Sequence, residues 1–297
     1  MGSKRLAVAS LIGVLAVACA GPPTGSSGTL AGAVSTKRLN YVALGDSFAA
    51  APGVPDPAPP AGCRKSTNDY PSILAREIKA LSFVDVTCSG AKTDDITTRA
   101  QQTTDGAVAR QIDAVDASVD LITVTIGAND VGLPSDAKGC QVESAAAPPC
   151  TNRFVVDNVD RISQVSIAQL PAWGVLVDQL RAAAPNARIV FVGYGTYVRA
   201  GGCFPAQPVL PRDADYLQSK LNELDDLQQQ LAAEKGIEYF DTRPLSDGHD
   251  ICAAPDDRYI EGFVPAGSAE PLHPNAFGES AVGQALAGYL LKPSIHG

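Results

Sequence analysis

The sequence has little positive charge and no cluster of basic residues. It carries 23 lysines and arginines against 32 aspartates and glutamates, which gives a formal net charge of -9 at pH 7. A nucleic-acid-binding protein needs a basic face for the phosphate backbone, so this class of partner is excluded. The acidity itself favours solubility and does not indicate an activity.

Metal-binding patterns and long apolar runs are also scarce. Only three histidines occur, none of them close to another, and no CxxC pair is present. The common zinc sites need closely spaced cysteine and histidine ligands, so we expect no metal. Beyond the N-terminus, no apolar run is long enough to cross a membrane.

The N-terminus has the parts of an export signal. Lys4 and Arg5 form a charged region, residues 6–18 are apolar, and small residues lead up to Cys19. An apolar run of this length is too short to span a membrane, so residues 1–18 are predicted to be a signal peptide. The residues before Cys19 resemble a bacterial lipoprotein cleavage box, which predicts lipid on Cys19 and attachment to the cell envelope. The alternative is a plainly secreted protein from which Cys19 is removed.

The six remaining cysteines are even in number, as expected of disulfides in an exported protein. They are Cys63, Cys88, Cys140, Cys150, Cys203 and Cys252. Six cysteines allow fifteen pairings, and the sequence alone does not choose among them. The simplest pairing is sequential, with each cysteine joined to the next one along the chain.

Residues 19–37 and residues 38–297 differ in composition. The first segment is rich in Gly, Ser, Pro and Thr and lacks apolar periodicity, which predicts a flexible linker. In the second, strand-like runs alternate with helical segments, which is typical of one α/β domain with a parallel sheet and helices on both faces. The predicted strands are LNYVALGDS, FVDVTCSGA, VDLITVTIGAND, ARIVFVGYG and IEYFDT, and the predicted helices cover residues 68–81, 153–184, 213–236 and 274–291. Pro171 marks a potential break in the second helix.

Residues suited to acyl chemistry follow the predicted strands at the points where these strands end. Ser47, Gly90 and Asn129 come after the first three strands, and His273 precedes the last helix. Ligands of open α/β sheets bind outside the carboxyl ends of the strands, so we expect these residues to meet at one edge. Ser47 can supply a nucleophile and His273, with an ordinary pKa of about 6.5, a base. The Asn129 amide and the N–H groups of Ser47 and Gly90 can donate hydrogen bonds to an oxyanion.

These segments resemble the four sequence blocks of the GDSL, or SGNH, hydrolases. The blocks read GDS, SG, GAND and EPLHP, and they occur in the order of that family and at its typical spacing over about residues 40–291. The segment CRKSTNDYP and the six-cysteine layout resemble secreted actinobacterial lipases and esterases of this family. The G-x-S-x-G pattern of the other serine-esterase fold is absent.

The resemblance implies a flavodoxin-like three-layer α/β/α fold with a parallel sheet of about five strands. It also implies an exported esterase or lipase that cleaves carboxylic esters through Ser47 and His273, with no cofactor. We expect this enzyme to be a monomer. A cell-envelope acyltransferase that uses the same catalytic residues is an alternative. A third hypothesis is a binding protein whose hydrolase fold has lost its activity. The four intact sequence blocks argue against it.

One position departs from the family pattern. Members usually carry an aspartate three residues before the histidine, where it orients the imidazole, and this chain has Glu270 there. Either the Glu270 carboxylate or a main-chain carbonyl of residue 270 or a neighbour is expected to orient His273. A third alternative is that the carboxylate of Asp247 or Asp250 orients His273.

Several other side chains are candidates for supporting roles. Asp46 precedes Ser47 in an extended segment and therefore points in another direction, so Asp46 and Asp130 are interpreted as bonding nearby backbone amides. His249 lies in a cysteine-bearing loop and is interpreted as structural. Four aromatic residues either line an acyl pocket or pack in the core: Tyr194, Tyr197, Phe204 and Phe263.

Overall fold

The computed structural model describes residues 38–292 and Gly2. The predicted signal peptide, the linker and Cys19 otherwise lie outside the described residues, so they remain predictions. Within the described part of the chain, no helix combines the length and apolarity needed to cross a membrane.

Five parallel strands form the central sheet. They are β1 (Asn40–Gly45), β2 (Ser82–Asp85), β3 (Leu121–Thr125), β4 (Arg188–Val192) and β5 (Glu238–Phe240), in the spatial order β5-β4-β3-β1-β2. In the register of the sheet, Val42 of β1 lies beside Val84 of β2 and Ile122 of β3. This is the order of the flavodoxin-like doubly wound sheet, whose ligands bind where the winding reverses between β1 and β3. The predicted parallel sheet is confirmed.

Helices follow the strands along the chain. In the described residues they are α1 (Ser47–Ala50), α2 (Tyr70–Glu77), α3 (Thr93–Thr97), α4 (Leu133–Lys138), α5 (Arg161–Ala183), α6 (Pro211–Lys235), α7 (Arg243–Ser246) and α8 (Ala276–Leu290). Short antiparallel ribbons and 3-10 turns occupy several connections.

Successive residues of β1 enter two separate cores, because side chains alternate across a strand. Ala43 packs in one core with Leu74 of α2 and Leu286 of α8. Leu44 packs in the other with Ile96 of α3 and with residues of α5. Helices therefore cover both faces of the sheet, and the predicted three-layer α/β/α fold is confirmed.

The predicted helix 153–184 is wrong at its beginning. Residues 155–160 form a two-stranded ribbon instead, and its tip residues Asp157 and Asn158 have φ values of 51° and 61°. Asp and Asn tolerate this left-handed conformation, which the tight turn of a hairpin requires. The helix starts at Arg161, after the N-cap Asp160, and it continues through Pro171 without a break.

Three disulfides tie the connections that follow the strands. They join Cys63 to Cys88, Cys140 to Cys150 and Cys203 to Cys252, which is the sequential pairing. Because the connections after parallel strands all lie at the carboxyl edge of the sheet, these disulfides brace the edge at which the site residues were expected.

Candidate active site

Ser47 lies at the turn where β1 ends and α1 begins. Gly45 has a φ of 153°, and a Cβ there would lie 2.6 Å from the carbonyl oxygen of Thr125, so the strand can approach β3 this closely only with glycine. Asp46 caps α1, because its Oδ1 accepts the N–H of Phe48 at 3.0 Å. The backbone N–H of Ser47 has no hydrogen-bond partner among the described residues.

Gly90 lies in the turn that follows β2, with a φ of 81°. The flanking N–H groups are used: that of Ser89 donates to Cys63 O at 3.0 Å, and that of Ala91 donates to Cys88 O at 3.1 Å. The Gly90 N–H itself has no partner in the described part of the chain. The Cys63–Cys88 disulfide holds the two carbonyls of this turn together.

Asn129 connects the turns that follow β1 and β2. Its side-chain Nδ2 donates to Ala91 O at 3.1 Å and lies 3.5 Å from Asp46 Oδ2. The next residue, Asp130, accepts the N–H of Thr93 at 2.9 Å and its hydroxyl at 2.8 Å. The prediction that Asp46 and Asp130 bond nearby backbone amides is confirmed.

The imidazole of His273 is oriented by a main-chain carbonyl. Its Nδ1 lies 2.9 Å from Pro271 O. Since a carbonyl oxygen only accepts, Nδ1 carries the proton, and the Nε2 of the neutral ring is left as an acceptor. The loop turns sharply here, with Leu272 at a φ of 64°. The backbone N–H of His273 donates to Glu270 O at 3.2 Å.

The carboxylate of Glu270 forms an ion pair with Arg64 and no hydrogen bond with the imidazole. Arg64 Nη2 donates to Glu270 Oε2 at 2.8 Å. Asp250, another candidate, accepts from Arg199 Nε at 2.9 Å. The group that contacts His273 Nδ1 is therefore the main-chain carbonyl of Pro271, a neighbour of residue 270. Neither the Glu270 carboxylate nor the Asp250 carboxylate takes that place.

Burial lowers the pKa of His273 below its ordinary value, because a desolvated site disfavours the imidazolium form. The Pro271 hydrogen bond and the charge of Glu270 raise this pKa, whereas the charges of Lys138 and Arg64 lower it. The net effect keeps the imidazole neutral at pH 7, which is the form that a general base needs.

Ser47, Asn129 and His273 open onto one cavity of about 100 Å³, and Gly90 is not among the residues that line it. The lining is largely apolar and comes mainly from α4, α6 and the connections after β4 and β5. It includes Leu133, Val209, Ala214, Leu217, Leu221, Ile251 and Phe263. Such a cavity suits an apolar chain bound next to the polar groups. Tyr194 and Tyr197 also line the cavity, whereas Phe204 does not.

Sequence reasoning missed the role of the Tyr194 hydroxyl. This hydroxyl donates to Asp46 Oδ2 at 2.5 Å and accepts the N–H of Ala128 at 3.0 Å. The carboxylate it contacts belongs to a residue 148 positions earlier in the chain. No local pattern could have revealed this contact, because only the order of the strands brings β1 and the end of β4 together.

His249 lies outside this cavity. Its Nδ1 is 2.7 Å from Asp257 O, and its ring stacks on that of Tyr259 with 3.9 Å between ring centroids. The described residues contain no cluster of three or more His, Cys, Asp or Glu side chains that could hold a metal ion.

Known proteins resemble this chain over most of its length. The family model described as GDSL-like Lipase/Acylhydrolase matches residues 43–281. The chain is 36% identical over 291 residues to Lipase 2 of Streptomyces coelicolor, covering 92% of each protein. The crystal structure of phospholipase A1 from Streptomyces albidoflavus NA297 has a TM-score of 0.71 and 25% identity, over 86% of this chain and 100% of that one. An extracellular lipase from Streptomyces rimosus has the same fold, with a TM-score of 0.71 and 22% identity over 86% of this chain and 100% of that one.

These matches confirm the resemblance noted in the sequence. The family model spans all four blocks, from before Ser47 to beyond His273. Lipase 2 matches 92% of this chain, the similar structure at 25% identity is a phospholipase A1, and the expected class of carboxylic ester hydrolase is confirmed. The chain belongs to the GDSL-like lipase/acylhydrolase family of carboxylic ester hydrolases.

Proposed function

We propose that this protein is an exported serine esterase or lipase in which Ser47 is the nucleophile and His273 is the general base. The observation that carries the proposal is the hydrogen bond between His273 Nδ1 and Pro271 O. It assigns the proton to Nδ1 and leaves Nε2 to accept a proton, in a cavity that Ser47 shares.

Catalysis would proceed in two halves. Ser47 Oγ attacks the ester carbonyl carbon while its proton passes to His273 Nε2. The tetrahedral intermediate then breaks the bond to the alkoxy oxygen, which takes the proton from His273 and leaves as an alcohol. In the second half, His273 takes a proton from water, and the resulting attack on the acyl-enzyme releases the carboxylic acid and restores the Ser47 hydroxyl.

Three neutral donors are proposed to stabilise the oxyanion. The N–H groups of Ser47 and Gly90 are free of other partners among the described residues, so no existing hydrogen bond must break when an oxyanion arrives. The Asn129 amide donates one hydrogen to Ala91 O at 3.1 Å, and its other hydrogen, whose contact with Asp46 Oδ2 is long at 3.5 Å, can turn to the oxyanion. Donors fixed before the reaction cost no reorganisation in the transition state, and the loss of one such donor typically lowers kcat by about 10²–10³-fold.

The apolar cavity is proposed to hold the acyl chain of the substrate. Its walls carry aliphatic side chains such as Leu217 and Leu221 of α6, and Ser47, Asn129 and His273 line the same cavity. The similarity to Lipase 2 of Streptomyces coelicolor and to a phospholipase A1 supports a lipid or another acylated molecule as the substrate.

Export is proposed from the predicted signal peptide, and the three disulfides support it, since they persist in oxidising compartments. Attachment through a lipid on Cys19 is a finer prediction. Mass spectrometry of the mature protein tests it: an N-terminal Cys19 that carries lipid supports attachment, and Cys19→Ser should then release the protein from the membrane fraction. An unmodified N-terminus beyond Cys19 contradicts it.

Hydrolysis of p-nitrophenyl esters from acetate to palmitate tests the central proposal, with Ser47→Ala as the matched control. We expect cleavage by the wild-type protein and none by the variant. The dependence on chain length then separates an esterase from a lipase. If an added acceptor alcohol diverts most of the acyl group into a new ester, the acyltransferase alternative is correct instead. A wild-type protein that cleaves no ester and is not labelled by a fluorophosphonate would overturn the serine mechanism.

A further inference from the structure

We propose that Tyr194 is a positioning residue of the active site, because its hydroxyl holds the turn that carries Ser47 and the turn that carries Asn129 in a fixed relation. The inference rests on the proposed function, since it concerns the geometry of the donors assigned there to the oxyanion.

The Tyr194 hydroxyl uses both of its hydrogen-bonding capacities at the site. It donates to Asp46 Oδ2 at 2.5 Å and accepts the N–H of Ala128 at 3.0 Å. Asp46 immediately precedes Ser47, and Ala128 immediately precedes Asn129. One oxygen atom therefore connects the residue before the nucleophile with the residue before the proposed amide donor.

The ring of Tyr194 also contacts the other neighbour of Ser47. It meets the ring of Phe48 edge to face, with 5.6 Å between centroids. Both residues that flank Ser47 thus rest on one tyrosine, which restricts the direction of the Ser47 backbone N–H. A group that fixes donors before reaction lowers the barrier without binding the ground state more tightly.

Tyr194 is itself held firmly. Its backbone N–H donates to Asp225 Oδ1 at 3.1 Å, and the next N–H, of Gly195, donates to Asp225 Oδ2 at 3.3 Å. Asp225 is completely buried on α6. The buried Asp225 carboxylate therefore fixes the backbone of Tyr194 in the loop after β4. Because the tyrosine is fixed independently, it can restrict the turns that carry Ser47 and Asn129.

The pKa of Asp46 gives a measurement that distinguishes this role from a purely structural one, because a change in packing alone would not shift it. Burial raises the pKa of Asp46 to about 7, while the Tyr194 and Phe48 hydrogen bonds lower it and the charge of Asp130 raises it. Tyr197 also lies within electrostatic reach of Asp46. Without the Tyr194 hydroxyl, the carboxylate loses a donor that stabilises its charged form, so its pKa should rise. Asp46 would then be protonated at neutral pH and would hold Asn129 and Phe48 less well.

The test compares Tyr194→Phe with Tyr216→Phe. Both variants remove only a hydroxyl that donates to an aspartate that caps a helix, since Tyr216 donates to Asp160 Oδ1 at 2.9 Å and Asp160 caps α5. Tyr216 does not line the cavity. We expect kcat of Tyr194→Phe on p-nitrophenyl butyrate to fall about 10- to 100-fold, with KM changed by less than about threefold. We expect Tyr216→Phe to keep the wild-type kcat, and the acid limb of the rate profile to move to higher pH only in Tyr194→Phe.

A double-mutant cycle tests the route of the effect. If Tyr194 acts through Asp46, the loss of kcat in the double variant of Tyr194→Phe and Asp46→Asn should be far smaller than the product of the two single losses. Losses that multiply would overturn this route. If Tyr194→Phe melts below the assay temperature, the Asp46→Asn variant alone tests the proposal. It removes the carboxylate charge that the Tyr194 hydroxyl stabilises by donating a hydrogen bond. An unchanged kcat in that variant overturns the proposal.

The outcomes separate this inference from the proposed function. The first measurement compares ester cleavage by the wild-type protein and by Ser47→Ala. Its result tests the serine mechanism alone. An active wild type with an unchanged kcat and pH profile in Tyr194→Phe overturns only the positioning role. An equal loss of kcat in Tyr194→Phe and Tyr216→Phe also overturns it, since the loss would then follow general destabilisation. An inactive wild-type protein overturns both.

Discussion

Replacing Glu270 with glutamine tests which group orients the imidazole of His273. The Nδ1 of the ring bonds the carbonyl of Pro271, and the Glu270 carboxylate bonds Arg64. Glutamine keeps the shape of the side chain and removes its charge. Since the substitution leaves the Nδ1 hydrogen bond in place, we expect kcat/KM on p-nitrophenyl butyrate at pH 8 to stay within about threefold of wild type.

The contrast with a carboxylate-based triad sets the scale of this experiment. In such triads, the change of the orienting aspartate to its amide lowers kcat by about 10⁴-fold, because the ring adopts the wrong tautomer. The Arg64–Glu270 pair is partly exposed, with 52% and 33% of the two side chains accessible. Exposed ion pairs contribute about 0–1 kcal/mol to stability, so the melting temperature should change little.

The charge removed has a separate effect on His273. The negative charge of Glu270 raises the pKa of the imidazole, and the positive charge of Arg64 lowers it. We therefore expect the pKa of His273 to fall in Glu270→Gln and to rise in the matched variant Arg64→Gln. NMR titration of the imidazole protons measures both shifts, and only three histidines need to be assigned.

A loss of about 100-fold or more in kcat/KM of Glu270→Gln at pH 8, with Arg64→Gln near wild type, would refute the orienting role of the Pro271 carbonyl. That result would mean that the carboxylate leaves Arg64 and orients the imidazole during catalysis. Equal and large losses in both variants would instead point to the ion pair itself as a support of the His273 loop, which also contradicts the expectation of a small effect.

Three further outcomes are expected. Asn129→Ala should lower kcat about 10²–10³-fold on every p-nitrophenyl ester tested, because it removes a proposed oxyanion donor, and an unchanged kcat would contradict that role. Leu217→Trp should fill part of the cavity and lower kcat/KM for the laurate ester relative to the acetate ester by about tenfold or more, whereas an unaltered chain-length profile would place the acyl chain elsewhere. Full reduction of the three disulfides should lower the free energy of unfolding by about 2–4 kcal/mol per bridge, measured as a lower melting temperature.

Much of the fold could be predicted because its signals are local. The predicted strand VDLITVTIGAND is observed as β3, which is buried at every position because helices cover both faces of the sheet. The predicted helix 213–236 is observed as α6, which Gly236 ends in the left-handed conformation at a φ of 61°. The start of α5 differs from the prediction because Asp157 and Asn158 form the tip of a ribbon and Asp160 caps the helix, where its carboxylate also accepts the hydroxyl of Tyr216 from α6.

The sequence by itself determined the four residue types of the candidate site and their positions at strand ends. The candidate nucleophile, base and donors stand at fixed places along the chain, which is a property of local sequence, and the alternation of strands and helices implies that they share one edge of the sheet. The carboxyl edge is a consequence of connectivity, so it needs no knowledge of side-chain contacts.

Only the tertiary structure decided which partner each of these residues takes. Whether His273 bonds Glu270 or a carbonyl depends on the path of one loop and on the competing attraction of Arg64, which lies 206 residues away from Glu270 in the chain. The contact of Tyr194 with Asp46 depends on the order of the strands. Contacts between distant residues are set by the free energy of the whole packed fold, and no short stretch of sequence contains that information.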